Sequence, residues 1–261
     1  MKQLIFIIKY LKYRIKAKTK YDIHSPFVFE LITKVFYNKK SDNEIRSIEA
    51  IRKQLLKNKT IVTFEEMGAG SLKSDSKTKN VSNITRNSAK HPKYAQLLYR
   101  MVKHFQPANI LELGTSMGIS SAYMAKANTK ANLTTIEGSE KIAAFAKENF
   151  NQLNINNIRQ IIGNFDNKLP ELLKEKCIYD FIFFDGNHRK APTLNYFYQC
   201  LKNKNDNSIF VFDDIHWSQE MEEAWNEIKQ SEEVTITIDL FFLGIVFFRK
   251  ESSKEHFTIK F

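Results

Sequence analysis

The sequence predicts an α/β protein: a doubly wound, mostly parallel, seven-stranded sheet with an N-terminal helical cap. From residue 109 onward, short apolar runs alternate with segments of helical spacing, the pattern of a sheet covered on both faces. Four of the eight glycines (Gly114, Gly138, Gly163 and Gly186) directly follow such runs, where the backbone must turn sharply or approach a ligand. Two last apolar segments, 234–239 and 241–248, read as an antiparallel pair closing the sheet edge.

Residues 1–90 read as a basic helical cap and loop, and residues 91–261 as the main domain. The first twenty residues hold seven Lys and Arg and no acid, with Leu4, Ile8, Leu11 and Ile15 on one helical face. Such a helix suits an anionic membrane surface or a partner groove, although the simpler expectation is that the stripe packs on the rest of the protein. The run Leu4 to Ile8 is far shorter than the roughly 20 residues that span a bilayer, and no small-residue cleavage site follows it. His24-Ser25-Pro26 has the order of a helix start, and Ser41-Asp42-Asn43-Glu44 reads as a capping box for a helix running to about Leu56. A strand-like stretch, Thr60 to Phe64, precedes a polar loop from Gly68 to Asn80 that carries Gly68-Ala69-Gly70-Ser71 and is expected on the surface. Pro92 opens a helix to Phe105.

A chain of 261 residues, 43% hydrophobic and 26% charged, can bury a full core. Its two cysteines, Cys177 and Cys200, point to reduced packing thiols and a cytoplasmic setting rather than a disulfide framework or zinc cluster. The net charge of +11 is uneven: residues 1–60 carry 15 Lys and Arg against 5 acids, residues 61–261 carry 25 against 24. A catalytic face with that balance lacks the basic groove a duplex-binding enzyme needs, so nucleic acid is not the expected partner.

The parallel strands are read at Asn109–Leu113, Leu133–Glu137, Arg159–Ile162, Tyr179–Asp185 and Ser208–Asp213. The helices between and after them are read at Ile119–Ala127, Glu140–Asn151, Leu169–Glu175, Pro192–Leu201 and Ser218–Lys229. In such sheets ligands lie beyond the carboxyl ends of the strands. The first of those ends reads Glu112-Leu113-Gly114-Thr115-Ser116-Met117-Gly118-Ile119-Ser120. Two glycines four apart and a helix N-terminus with free N–H groups suit a close-approaching ligand. Glu137 ends the second strand, where an acid binds ribose hydroxyls in nucleoside-binding sheets. The dinucleotide pattern G-x-G-x-x-G is absent, since Thr115 and Ser116 occupy its second glycine position.

The fourth and fifth strands end in Asp185 and in Asp213-Asp214. Three carboxylates at one rim repel one another, and a cation is the simplest resolution. An oxygen-only set with open positions suits Mg²⁺, and His188 is placed to take a proton at neutral pH. The same acids also suit a structural role, capping the helix that begins near Trp217. His216 and Trp217 read as packing or lid residues.

The stretch from Glu112 to Gly118 resembles motif I of class I S-adenosylmethionine-dependent methyltransferases, acid-x-Gly-x-x-x-Gly, and the resemblance runs from about His91 to Phe248. It implies a Rossmann-like methyltransferase fold in which Gly114, Thr115, Ser116 and Gly118 line the methionine part of the cofactor, with Glu112 and Ser120 also among the cofactor-binding residues; the alternative for Glu112 and Ser120 is a plain turn and cap role. Glu137 would hold the ribose, and Asn164 and Phe165 would flank the adenine. The acids and His188 resemble those of metal-dependent O-methyltransferases. The catechol and caffeoyl-CoA type has Asp, Asp and Asn ligands and a lysine where His188 stands; the macrolide-sugar type, with Asp-x-x-His and a paired Asp-Asp, is closer. The resemblance implies S-adenosylmethionine and Mg²⁺ as cofactors and a small-molecule hydroxyl, sugar-like or phenolic, as acceptor. Methylation of RNA or protein and a non-catalytic cofactor-binding module are the alternatives, and the Asn/Asp-Pro-Pro-aromatic signature of base methylation is missing. Peripheral membrane contact through the basic helix and a homodimer are both compatible with this reading.

Overall fold

The computed structural model describes residues 2–38, 42–65 and 76–261. Ser41 of the expected capping box and the Gly68 to Ser71 turn lie outside the described residues. In chain order the elements are helices α1 (Lys2–Lys16), α2 (Pro26–Leu31) and α3 (Asn43–Leu55), strands β1 (Ile61–Glu65) and β2 (Ser76–Asn80), and helices α4 (Val81–Ser88) and α5 (Pro92–Phe105). The alternating part follows: β3 (Asn109–Leu113), α6 (Ile119–Ala127), β4 (Asn132–Glu137), α7 (Glu140–Gln152), β5 (Ile158–Ile162), α8 (Phe165–Leu173), β6 (Phe181–Phe184), α9 (Lys190–Cys200), β7 (Ile209–Asp213) and α10 (Gln219–Gln230). Three strands come last: β8 (Ile236–Asp239), β9 (Leu243–Phe247) and β10 (Glu255–Thr258).

The chain divides into two compact units, Met1–Tyr37 with Ile178–Phe261, and Asn38–Cys177. The fold class is the predicted one, a mostly parallel sheet flanked by helices, but with eight strands rather than seven. In the Asn38–Cys177 unit β3, β4 and β5 pair in parallel, and β1 and β2 form a separate antiparallel ribbon. In the other unit the order is β10-β8-β9-β7-β6. The β8 and β9 pair is antiparallel as expected, yet it does not close the edge, because β10 adds in parallel beyond β8. This strand, Glu-His-Phe-Thr, is exposed or half-buried along its length, so it lacks the apolar alternation that marks a strand in sequence.

Aromatic packing holds the strands of the first unit. All four residues of β6 are buried, as befits a strand covered on both faces. Phe184 stacks on Phe212 of β7 with ring centroids 4.3 Å apart, and Phe210 meets Phe248 edge-on at 4.7 Å. Gly244 lies opposite Phe212 on β9, and a Cβ there would stand 2.7 Å from the Trp225 ring and 3.0 Å from Ile215. The indole needs that space.

Helix α1 docks by a face other than the expected one. Leu4, Ile8, Leu11 and Ile15, the stripe expected to pack, are all exposed. The docked residues are aromatic: the Phe6 and Tyr10 rings lie 5.2 and 5.0 Å from Phe241, and the buried Tyr13 hydroxyl donates to the Ile259 carbonyl at 2.5 Å. Rings bury more area per residue than aliphatic side chains, and at positions 6, 10 and 13 they form their own helical stripe. Cys200 is buried as expected, whereas Cys177 is half-buried and outside any helix or strand. Among the described residues no helix is long and apolar enough to cross a membrane.

Gly244→Ala should lower stability by about 1–3 kcal/mol through overpacking against Trp225, read as a shift in the urea midpoint with an unchanged slope.

Candidate functional site

The turn after β3 is built around a buried acid. Glu112 has no solvent exposure, and its carboxylate accepts from Ser120 Oγ at 2.5 Å, Thr135 Oγ1 at 2.7 Å and the Ser121 hydroxyl. Burial pushes its pKa up to about 7, against the opposing pull of those three hydroxyls. Thr115, 1% exposed, shares a hydrogen bond of 2.6 Å with Thr135. Glu112, Thr115 and Ser120, expected around the cofactor, are therefore beneath the turn, bracing it. Ser121 and Thr135 complete the brace and were not expected; the Thr134-Thr135 pair in β4 is a signal for the second, and Ser121 has only its place beside Ser120 in α6.

Above the brace, Gly114 has φ 110°, a conformation open to glycine at little cost. Gly163 behaves likewise at φ 143°, whereas Gly138 and Gly186 keep ordinary φ values and Asn187 takes the left-handed turn at φ 59°. Gly118 is the N-cap of α6. Glu137 is half-buried at the end of β4; it accepts from the backbone N–H of Ser116 at 2.8 Å and of Ser139 at 2.9 Å. Desolvation raises its pKa while those N–H groups oppose the rise. Ser116 also meets Ser88 of α4, hydroxyl to hydroxyl at 2.6 Å, a neighbour in a segment between the loop ending at Asn80 and the helix opened by Pro92 for which the sequence predicts no element. Asn164 caps α8 by accepting from Asp166 N–H at 2.8 Å. With Gly163 it lines a cleft of about 520 Å³ whose other walls come from α8, and Phe165 beside it is half-buried.

The second cluster belongs to the other unit. One ligand atom from each of Asp185, His188 and Asp213 lies within 4.8 Å of the others. Asp213 is buried, and His188 Nε2 stands 3.9 Å from Asp185 Oδ1. Two carboxylates and an imidazole at this spacing fit a divalent cation, and the nitrogen donor widens the choice beyond Mg²⁺ to Mn²⁺, Co²⁺ or Zn²⁺. Asp214, expected as the third acid of the site, is not in this group. Consecutive residues of an extended strand project to opposite faces, and at Asp214 the backbone turns to φ 53°. His188 takes its place in the trio.

His216 is anchored instead. Its ring lies between Glu222 (3.0 Å) and Asp239 (2.8 Å) and stacks on Phe241. Burial alone would lower its pKa, but the two carboxylates override that and raise it. Trp217 next to it is 64% exposed.

A methyltransferase-domain family model matches residues 111–215. Over that stretch the chain is similar to a methyltransferase domain. The stretch takes in β3 through β7, both the glycine turn and the Asp185, His188 and Asp213 cluster. Over 126 residues the chain is 35% identical to a catechol O-methyltransferase of Niastella koreensis; the alignment takes in 47% of this chain and 55% of that protein, so the chain spans little more than half of the curated relative's length. Among solved structures, an O-methyltransferase from Bacillus cereus in complex with SAH superposes with a TM-score of 0.58 at 19% identity, over 81% of this chain and 93% of that one. An SAH-bound methyltransferase from Podospora anserina gives 0.61 at 14% identity, over 87% and 97%. At these identities the likeness establishes the methyltransferase fold.

Because the folded state holds the Glu112 proton up to about pH 7 and the unfolded chain releases it near pH 4.5, the folded form binds more protons between those values. Its contribution therefore makes stability fall as pH rises. Glu112→Gln should flatten that decline, so the variant's melting temperature relative to wild type should rise from pH 5 to pH 8 in paired thermal scans.

Proposed function

We propose that the protein is an S-adenosylmethionine-dependent O-methyltransferase that uses a divalent cation and acts on a hydroxyl of a small molecule, sugar-like or phenolic. The single observation that carries this reading is the Asp185, His188 and Asp213 cluster within the stretch similar to a methyltransferase domain. An acidic, histidine-bearing strand end suits holding and deprotonating an alcohol. The relative named catechol O-methyltransferase supports the same class of acceptor.

Residues of the Asn38–Cys177 unit hold the methyl donor. A carboxylate offers about four lone-pair sites, and Glu137 can accept from a ribose hydroxyl beside its backbone hydrogen bonds. Gly114 and Ser116 offer backbone and hydroxyl to the amino-acid end, and Asn164 and Phe165 bound the adenine. S-adenosylmethionine, when bound, would supply an electrophilic methyl group on a sulfonium whose leaving form is a neutral thioether. Asp185 and Asp213 hold the cation, whose chemistry when bound is to favour the ionised form of an acceptor hydroxyl. His188 takes the proton that the hydroxyl loses. The helical residues before His91 set which acceptor is admitted.

A second reading gives His188 to the cation as its third ligand, favoured by its place in the same trio. His188→Gln separates the two. As base, its loss should cut kcat about 10²–10⁴-fold with cation affinity unchanged; as ligand, its loss should weaken Mn²⁺ binding tenfold or more in calorimetry.

The main test is calorimetry of S-adenosylmethionine binding, followed by turnover on catechols and sugars with and without chelator. Binding at micromolar affinity, with turnover abolished by chelation and in Asp213→Asn, is the expected result. Full turnover in chelator would return the acids to structural roles, and the absence of S-adenosylmethionine binding would remove the proposal altogether.

A further inference from the structure

Helix α1 has two apolar faces, and only the aromatic one is used by the fold. Leu4, Ile7, Ile8, Leu11 and Ile15 are 44–84% exposed. At about 100° per residue these five fall within an arc of about 100°, on the side of the helix away from Phe6, Tyr10 and Tyr13. Lys12 borders the arc on one side and Arg14 on the other, with Lys16 and Lys18 close by, and all four are exposed. Among the described residues Lys12, Arg14 and Lys16 form no ion pair, whereas Lys9, on the docked side, is paired with Glu222 at 2.8 Å. Tyr21, 83% exposed, follows the end of the helix.

We propose that this ridge seats in an anionic phospholipid surface, with α1 lying in the plane of the interface. An aliphatic arc flanked by cations is the arrangement that sinks into the acyl boundary while its charges meet lipid phosphates, and an exposed tyrosine at its end suits the headgroup level. At fifteen residues the helix lies on a bilayer rather than crossing it. Charge decides against a second copy as the occupant: no acid occurs in the first twenty-one residues, so two α1 ridges laid together would bring Lys12, Arg14 and Lys16 against their own kind. A membrane rich in anionic lipid complements them. This inference stands on the surface of α1 and does not depend on the proposed reaction.

The test is co-sedimentation of the full chain with vesicles of phosphatidylcholine alone and of phosphatidylcholine with phosphatidylglycerol, at low and high salt. Wild type should partition to the anionic vesicles, and high salt should weaken that partition. Two double variants, Leu11→Ser with Ile15→Ser and Lys12→Glu with Arg14→Glu, should each weaken it by at least about tenfold. None of these side chains touches the docked face, and an unchanged melting curve verifies that each variant is folded. Equal partition to both vesicle types, no binding to either, or indifference to both variants would overturn the proposal. So would serine variants that turn a dimer into a monomer while lipid binding is absent, which would assign the ridge to a second copy.

Discussion

Glu112 is a carboxylate without access to water, and the cofactor end of the molecule is arranged to satisfy it. A buried carboxylate without partners costs several kcal/mol, and the donors that meet it come from α6 (Ser120 and Ser121) and from β4 (Thr135). Three elements are thereby fixed to one point. The turn from Gly114 to Gly118 has little freedom left once α6 must start where its serines reach the acid. That turn then presents the Ser116 N–H to Glu137, which orients the second acid in turn. A fully buried acid thus positions a second one that is only half-buried.

In the other unit the corresponding constraint is aromatic. The stacked Phe184 and Phe212 rings occupy the last residue of β6 and the last but one of β7, directly before Asp185 and Asp213. Fixing those rings fixes where the two carboxylates emerge. His216, held by Glu222 and Asp239, then ties the chain after β7 to α10 and β8. The acids are mounted at the ends of two fully buried strands, which is how rigid elements hold a polar cluster at close quarters.

Much of this was legible in the sequence, for identifiable reasons. Helices α5 and α6 and strand β3 have their predicted bounds, because proline, glycine and a clean change of hydrophobic period mark each end. The strand-end acids were found because parallel sheets place their chemistry there. What was missed had no periodic signal. Strand β10 is short and polar, β2 lies in the stretch up to Asn80 whose Lys, Ser and Asn content reads as loop, α4 follows it where no element was predicted, and Asp42 is the N-cap of α3. The Asp42 carboxylate turns instead to the Tyr99 hydroxyl at 2.7 Å, a contact 57 positions away that no local pattern encodes. The doublet Asp213-Asp214 was read as two acids at one site, although neighbouring strand residues diverge. The aliphatic stripe of α1 was read as the buried face because hydropathy ranks it above tyrosine, while packing favoured the larger rings.

The seam between the two extremities of the chain has a further consequence. The Tyr13 hydroxyl reaches the Ile259 carbonyl, the Lys18 N–H donates to Thr258 at 2.8 Å, the Lys260 N–H donates back to Lys18 at 2.9 Å, and the Phe36 and Phe261 rings meet at 6.0 Å. Residues 13–37 thus complete their contacts only with residues translated more than two hundred positions later. Chains emerge N-terminus first and fold as they appear, so α1 must wait, undocked, until those residues have been made. Its aromatic and aliphatic faces are both uncovered during that interval, and only the arrival of Phe241 and then of β10 sorts one inward and leaves the other facing out.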